Sequence, residues 1–548
     1  MRLDRSSRPG GSALAAVAAL AGVVAIARPL SAVDALLIVT VVALAVAGVH
    51  ELVTARTARD RLIGVLLVTA AIVLAVRPVW GVRALVVALG VVLIGEGLLA
   101  VHRRRSWWDV AGGVGLVLLG LLALAWPDIS VFIVGVLLGV RLLLVGFPGL
   151  APDLPRPVTA TVVLTTAVVL CGYTVVVTST APEPGRFYTA PAEGPRSPGL
   201  LLRAEPFTTD VPSGARAWRI LYSTTRAGDE HTIASAVVAV PRDQLMGRAP
   251  VIAWAHGTTG LESRCAPSLR ARHTVGAGGI AAVHAALDRG WAVVAPDYPG
   301  LGTGGVQPYL IGSGEARSVL DAVRAARRIP QLDLGRRTVV WGHSQGGHAA
   351  LWTAMSQPDY APDVSLSGVV AVSPVSSPTT FLRDLQRRPV GTIFVAYALA
   401  AYDATYDDVD TGDHVRASAR LPIDRIASRC LRSKAAQVSL TQARVMADRF
   451  VAGSLYEGAL ARRLSENDAT GAITAPLLIA QGESDRVVTL RLQDDYVRGR
   501  CAAGQSLDYR TYAGRGHGDL LRATSPFVDE LLDWTADRFA SKPTTTTC

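Results

Sequence analysis

Lysine is nearly missing from this 548-residue chain: only Lys434 and Lys542 occur among 54 basic side chains, and the rest are arginine. That bias reflects a GC-rich coding sequence rather than a binding role. Charge of either sign is scarce, at 18% of residues, while 50% are hydrophobic and the mean hydropathy is +0.34. A chain so apolar is not disordered, and one so long and so unevenly apolar is not a single soluble domain. The net charge of +10 is spread thinly, with 14 arginines against eight acids through Thr178 and 40 basic against 36 acidic residues after it. No basic run interleaved with aromatics is present, which argues against a nucleic-acid partner. Metal motifs are missing as well: there is no H-E-x-x-H and no paired C-x-x-C. Gly302-Thr303-Gly304-Gly305 lacks the following Lys-Ser or Lys-Thr of a phosphate cradle. No cofactor and no metal site is expected.

What is abundant is Ala, Val, Leu and Gly in the first third. Seven apolar stretches, roughly 11–27, 31–49, 62–76, 84–101, 108–126, 129–146 and 157–178, are each near the length that spans a bilayer as a helix. Pro29, Pro78 and Pro127 recur every 49 residues at turns between apolar runs, each followed 19 residues later by Gly48, Gly97 or Gly146. Seven residues before each proline stands Gly22, Ala71 or Gly120. Three agreeing registers predict a helical hairpin repeated three times, with small residues allowing close packing. This block, about 11–150, resembles the short-repeat membrane family of the HdeD type. Arg2, Arg5, Arg8, Arg56, Arg59, Arg61, Arg103, Arg104, Arg105 and Arg156 flank one side of the spans, and only Arg28, Arg77 and Arg83 the other. The asymmetry predicts a cytoplasmic N-terminus and, after seven spans, an extracytoplasmic remainder. Asp34, Glu96, Asp109 and Arg141 lie mostly near span ends and are read as interfacial anchors.

A Pro-, Gly- and Glu-rich linker is expected over 181–204. Beyond it, short β-branched runs alternate with helical segments: 218–224, 232–240, 251–255, 291–295, 338–341, 368–372, 477–480 and 507–512 are candidate strands. The pattern predicts a mostly parallel sheet with helices on both faces. Thr338-Val-Val-Trp-Gly-His-Ser344-Gln-Gly-Gly-His reads as a strand, a sharp turn and a helix, with Ser344 at the turn. A serine hydroxyl needs a base, and the base needs an acid to fix its tautomer. Asp485 follows the strand at 477–480 and His517 follows the strand ending at Tyr512. The order Ser344, Asp485, His517 is similar to that of α/β hydrolases, with Glu483 and Asp519 as competing acids. The apolar run from Val251 enters His256-Gly257-Thr258-Thr259-Gly260, where an oxyanion loop is expected. The backbone N–H groups of Thr258 and Gln345 are the chosen donors, with Gly257 in reserve and His256 read as structural. The stretch 373–472 interrupts the sheet pattern with helical segments and reads as a cap over the serine.

His-Gly-Thr-Thr-Gly followed by Cys265-Ala-Pro-Ser, then Ala295-Pro-Asp297-Tyr298-Pro-Gly-Leu-Gly, Tyr309-Leu and Gly-His-Ser-Gln-Gly-Gly, resembles the secretory lipase family over about 206–541. The resemblance implies a serine ester hydrolase with a helical cap acting on lipid or small esters, and puts Ser344, Asp485 and His517 on the family's triad. Asp297 reads as a loop residue. The membrane segment departs from that family's usual free secretion. Of five cysteines, Cys171 falls in the last span, and Cys265, Cys430, Cys501 and Cys548 allow three pairings outside the cytoplasm. Cys265 lies beside the oxyanion loop and Cys430 in the cap; the resemblance favours their pairing, leaving Cys501 to Cys548 or reduced. The expected architecture is an α/β hydrolase at 205–541, with its cap insertion and a 542–548 tail, preceded by an all-α multi-span domain at 1–180. Acyl transfer would use the same triad. A transporter or stress sensor with a degenerate outer domain is the rival of another class.

Overall fold

The computed structural model describes residues 9–103, 105–147, 155–178, 182–191, 197–209, 211–242, 248–269, 281–386, 388–431 and 433–548. Arg2, Arg5, Arg8 and Arg104, used above for orientation, and parts of the expected linker lie outside them. Two compact units form. One comprises 1–180 with 412–425 and 441–453, the other 181–411, 426–440 and 454–548.

Among the described residues, the 1–180 part of the first unit holds seven helices: α1 (Pro9–Ala27), α2 (Pro29–Thr54), α3 (Ala58–Val76), α4 (Pro78–Arg103), α5 (Trp107–Ala125), α6 (Pro127–Gly146) and α7 (Arg156–Thr178). Pro29, Pro78 and Pro127 open α2, α4 and α6, where a fixed φ and a missing N–H cost nothing. At the opposite ends, Thr57 with Asp60 and Ser106 with Asp109 form capping boxes, again 49 residues apart. Asp109 is therefore a cap residue. Among the described residues five helices, α2 and α4 to α7, are long and apolar enough to cross a membrane. In α3 the first turn carries Arg59, Asp60 and Arg61, and the apolar part of α1, Leu14–Ala27, is shorter.

The glycines explain the 49-residue register. Gly48 meets Gly64, Gly97 meets Gly113, and Gly146 meets Ala15, so that an added Cβ would collide with the facing backbone in each case. Close pairing thus runs from one hairpin to the next, α2 on α3 and α4 on α5, and α6 closes back on α1. The two helices that share a proline turn scarcely touch. The same unit includes two later segments: Ser418 N donates to Asp34 Oδ1 (3.3 Å), and Gln442 Nε2 donates to Asp128 Oδ2 (2.8 Å), a carboxylate 1% exposed.

The second unit is built on a nine-stranded sheet: β1 (Leu201–Phe207), β2 (Ala215–Thr225), β3 (His231–Pro241), β4 (Ala249–Ala255), β5 (Ala292–Pro296), β6 (Leu334–His343), β7 (Ser365–Val372), β8 (Leu477–Gly482) and β9 (Asp508–Tyr512). The order is β1-β2-β3-β5-β4-β6-β7-β8-β9. Pairings from β5 through β9 are parallel, and those joining β1, β2, β3 and β5 are antiparallel. The expected strands are present. β1 is an addition that begins inside the stretch read as linker, because its short apolar start, Leu201-Leu202, adjoins the Pro- and Gly-rich segment and gives way at once to Arg203, Glu205 and Pro206.

Connections supply α8 (Ala281–Asp288), α9 (Gly312–Ala326) and α10 (Gln345–Tyr360), then α11 (Pro378–Leu385), α12 (Gly391–Thr405), α13 (Ala417–Ala427), α14 (Ala436–Met446) and α15 (Gly458–Glu466) between β7 and β8, and finally α16 (Leu490–Ala502) and α17 (Pro526–Phe539). Val319, Val323, Ala350 and Leu351 of α9 and α10 bury against one face of the sheet; Val283, Phe527 and Leu531 of α8 and α17 bury against the other. Parallel strands covered on both faces need the near-continuous apolar runs seen in β4, β6 and β8.

Candidate active site

At the end of β6 the chain turns so sharply that Ser344 takes φ 59° and ψ −117°, a left-handed-side conformation costly for a side chain-bearing residue. The flanking glycines make the turn possible. A Cβ on Gly342 would overlap the Gly346 carbonyl, and one on Gly346 would overlap the Ala255 carbonyl at the end of β4. Ser344 N donates to Val372 O of β7 (2.9 Å), and the Ser344 carbonyl accepts His348 N and Val375 N (3.1 Å each). The turn is held between the ends of β4 and β7, the two neighbours of β6 in the sheet.

His517 bridges the other two predicted residues. Its Nε2 lies 2.9 Å from Ser344 Oγ and its Nδ1 lies 2.8 Å from Asp485 Oδ2. Gly482, at the end of β8, lets the acid loop and the histidine loop approach, since a Cβ there would strike the Arg515 carbonyl. Asp485 Oδ1 accepts Val487 N (2.8 Å) and Val488 N (3.0 Å). Burial alone would raise the Asp485 pKa, but the His517 hydrogen bond and charge and these two N–H donors outweigh it and hold the carboxyl below its ordinary value. The competing acids are engaged elsewhere: Glu483 accepts from Thr511 Oγ1 (2.9 Å), and Asp519 accepts from Gly516 N (2.8 Å) and pairs with Arg522.

The His256-Gly257-Thr258 turn abuts the serine, with a Cβ on Gly257 coming within 3.6 Å of Ser344 Cβ. The N–H groups of Thr258 and Gln345 donate to no acceptor among the described residues. His256 spans the turn, Nδ1 to Gly257 O (2.7 Å) and Nε2 to Asp297 O (3.2 Å). Asp297 is fully buried and accepts from Ser235 Oγ, Ser268 N and Ser268 Oγ; burial pushes its pKa up to about 6 despite those bonds. Cys265 and Cys430 are bonded (Cα–Cα 5.3 Å), as are Cys501 and Cys548 (5.4 Å), and Cys171 is free. Leu431 N donates to Thr259 O (2.8 Å), a second tie between the Cys430 segment and the oxyanion turn. No cluster able to hold a metal occurs among the described residues.

Three neighbours, His343, His348 and Glu315, escaped the sequence reading. His343 Nε2 donates to the His517 carbonyl (2.7 Å), and behind the turn Glu315 of α9 bonds both Gln345 and His348. The second histidine of Gly-His-Ser-Gln-Gly-Gly-His sits one helical turn after Ser344, which could have flagged it; nothing in the sequence marks Glu315.

The secretory lipase family matches residues 273–547, and a short repeat of unknown function (DUF308) matches 13–61. A probable inactive lipase of Mycobacterium tuberculosis is 27% identical over 384 residues, covering 66% of this chain and 84% of that protein. A secreted triacylglycerol lipase of Malassezia globosa is 25% identical over 383 residues, covering 64% and 78%. Among solved structures, Candida antarctica lipase A superposes with a TM-score of 0.58 at 21% identity, over 67% of this chain and 88% of that one, and shares the fold. Since the family match alone spans half of the sequence and takes in Ser344, Asp485 and His517, the chain belongs to the secretory lipase family.

Proposed function

We propose that this protein is a membrane-anchored serine hydrolase that cleaves carboxylic esters, lipid esters above all, outside the cytoplasm. The observation that carries the reading is His517 held between Ser344 Oγ and Asp485 Oδ2. In the proposed cycle Ser344 Oγ attacks the ester carbonyl while His517 Nε2 takes its proton. The oxyanion is met by the Thr258 and Gln345 N–H groups. His517 then protonates the departing alcohol, and a water activated by the same nitrogen releases the acid from acyl-Ser344. Asp485, kept ionised, fixes the Nδ1–H tautomer and stabilises the imidazolium. The lipid preference rests on the family and on the Malassezia relative.

The outside placement is supported by the arginine asymmetry. A reporter fused after Cys548 is expected to function only outside the cytoplasm; a cytoplasmic signal means an even number of spans.

The deciding experiment is intact-mass labelling of the detergent-solubilised full chain with a fluorophosphonate, followed by turnover of esters of increasing acyl length. One adduct is expected on the wild type and none on Ser344→Ala, whose kcat falls by about 10⁴ to 10⁶. An unlabelled, inactive wild type would place it with the relative described as inactive. Undiminished turnover by Ser344→Ala would refute the mechanism.

A further inference from the structure

Behind the nucleophile turn lies a polar cluster with no exposure: Glu315 in the first turn of α9, and Gln345 and His348 in the first turn of α10, are each 0% exposed. Glu315 Oε1 accepts Gln345 Nε2 (2.7 Å) and Leu310 N (3.0 Å), while Oε2 lies 2.9 Å from His348 Nδ1. His348 Nε2 lies 2.9 Å from the Asn467 carbonyl. The proton inventory is constrained by these partners. A main-chain carbonyl cannot donate, so His348 Nε2 carries a hydrogen, and one further proton sits between Nδ1 and Oε2. Wherever that proton resides, the pair as a whole is neutral, and all four bonds are made. A buried carboxyl satisfied in this way is a rigid fixture rather than a loss.

Asn467 extends the fixture. Its Oδ1 accepts Gly312 N at the start of α9 (2.9 Å), and its carbonyl also accepts Trp352 Nε1 of α10 (3.1 Å). The two helices are locked together at the ends that face the turn. The one residue in this network adjacent to Ser344 is Gln345, whose main-chain N–H is an oxyanion donor in the reading above.

We infer that Glu315 is a positioning residue: by holding the Gln345 amide, with His348 as its counter-group, it fixes the direction of the Gln345 N–H toward the developing oxyanion. The inference rests on the serine hydrolase reading and adds a residue that touches no substrate. An oxyanion donor helps only if its direction is set before charge develops, and loss of one such donor costs about 10² to 10³ in kcat. The ester is held in the ground state by other contacts, so the loss falls on kcat and leaves KM nearly unchanged.

The test uses full-length protein in detergent and a soluble p-nitrophenyl ester. Glu315→Ala is expected to lower kcat by about 10² with KM within about threefold, while Glu315→Gln, which still accepts from Gln345 and Leu310 and can donate to His348 Nδ1, stays within about tenfold of wild type. Gln345→Ala removes the other end of the same tie with less disturbance of the interior and is expected to lose about tenfold or more. The double variant should lose no more than the worse single one, because both act through one contact. Wild-type kcat in Gln345→Ala, or in a folded Glu315→Ala, overturns the inference, as does a loss expressed in KM or losses that multiply. If Glu315→Ala does not fold, Gln345→Ala decides. Failure of the wild type to label with fluorophosphonate defeats the hydrolase reading itself, whereas normal labelling with unaffected variants defeats only the role of Glu315.

Discussion

The two units of this chain place their side chains in opposite senses. In α1–α7 many large apolar residues face outward while Gly22, Gly48, Gly97, Gly120 and Gly146 face a neighbouring helix; in the sheet unit Trp341, Tyr222, Ile220 and Ile252 are sealed inside. Among the described residues, every exposed large hydrophobic lies between Leu14 and Val176 except Val445, and Val445 belongs to a segment that groups with the helices. Water rewards burial of apolar surface, so the sheet unit assembles around it. Lipid gives no such reward, and helices immersed in it associate through close backbone approach. The outward leucines and valines of the first unit are thus a solvent choice, and support reading it as an anchor.

The comparison breaks most severely at the triad, which has no counterpart in the helices. Asp485→Asn leaves the shape of the site intact but no longer fixes the Nδ1–H tautomer of His517, and a fall of about 10⁴ in kcat is expected with the melting temperature little changed. Steady-state kinetics on the purified variant measures it. Retention of more than a tenth of wild-type activity would hand the acid role to Glu483 or Asp519.

Covalent ties also divide the units. Both disulfides lie in the sheet unit, and Cys171 in α7 is free. Breaking Cys265–Cys430, which closes a separation of 165 residues, should cost about 2–5 kcal/mol; breaking Cys501–Cys548, at 47 residues, should cost about 1 kcal/mol less. Cys171→Ser should change little. Denaturant titrations of Cys430→Ala, Cys548→Ala and Cys171→Ser give the order, and non-reducing peptide maps from the native host give the pairing. Free thiols at both Cys265 and Cys430 would sink the tie and weaken the outside placement.

The legibility of the two units differed as well. The turns at Pro29, Pro78 and Pro127 were readable because proline recurs at a fixed spacing. The capping boxes of α3 and α5 were not, Asp109 reading as an interfacial anchor, and neither was the pairing of helices, since a small residue says that something comes close and not what. In the sheet unit the apolar strands and the order Ser344, Asp485, His517 were readable because each lies just past a strand end. β1 was hidden because its short apolar start, Leu201-Leu202, abuts the Pro- and Gly-rich segment and is followed by Arg203, Glu205 and Pro206. Glu315 was hidden because a glutamate in a helix reads as a solvated face, and only the packing of α9 on α10 buries it.

A third expectation follows from the buried acid beside the oxyanion turn. Burial raises the Asp297 pKa to about 6, against 3.8 as its ordinary value. Between those values the folded state binds more protons than the unfolded chain, so stability falls as pH rises from about 4 to 6, by up to about 3 kcal/mol. Asp297→Asn cannot ionise and should flatten that part of the profile, read by thermal melts at half-unit intervals. An unchanged slope would mean that the hydroxyls of Ser235 and Ser268 already offset its burial.

The smallest effect concerns the helices themselves and can be posed within a single one. In α4 a Cβ on Gly97 would strike the Gly113 carbonyl and Val117 of α5, whereas a Cβ on Gly95 meets nothing within 4 Å. If backbone approach holds the first unit together, Gly97→Ala must push α4 and α5 apart, a cost of about 1–3 kcal/mol by the measure of overpacked interiors. Gly95→Ala puts the same methyl group in open space and should be neutral or slightly stabilising, since alanine favours a helix over glycine by about 1 kcal/mol. Thermal unfolding of the two variants in detergent, followed by helical signal, separates them. Ester turnover should be the same in both, because neither methyl group touches the triad or its supports. Equal melting temperatures would mean that the 49-residue glycine register is not a packing device, and the contrast between the two units would then rest on exposure alone.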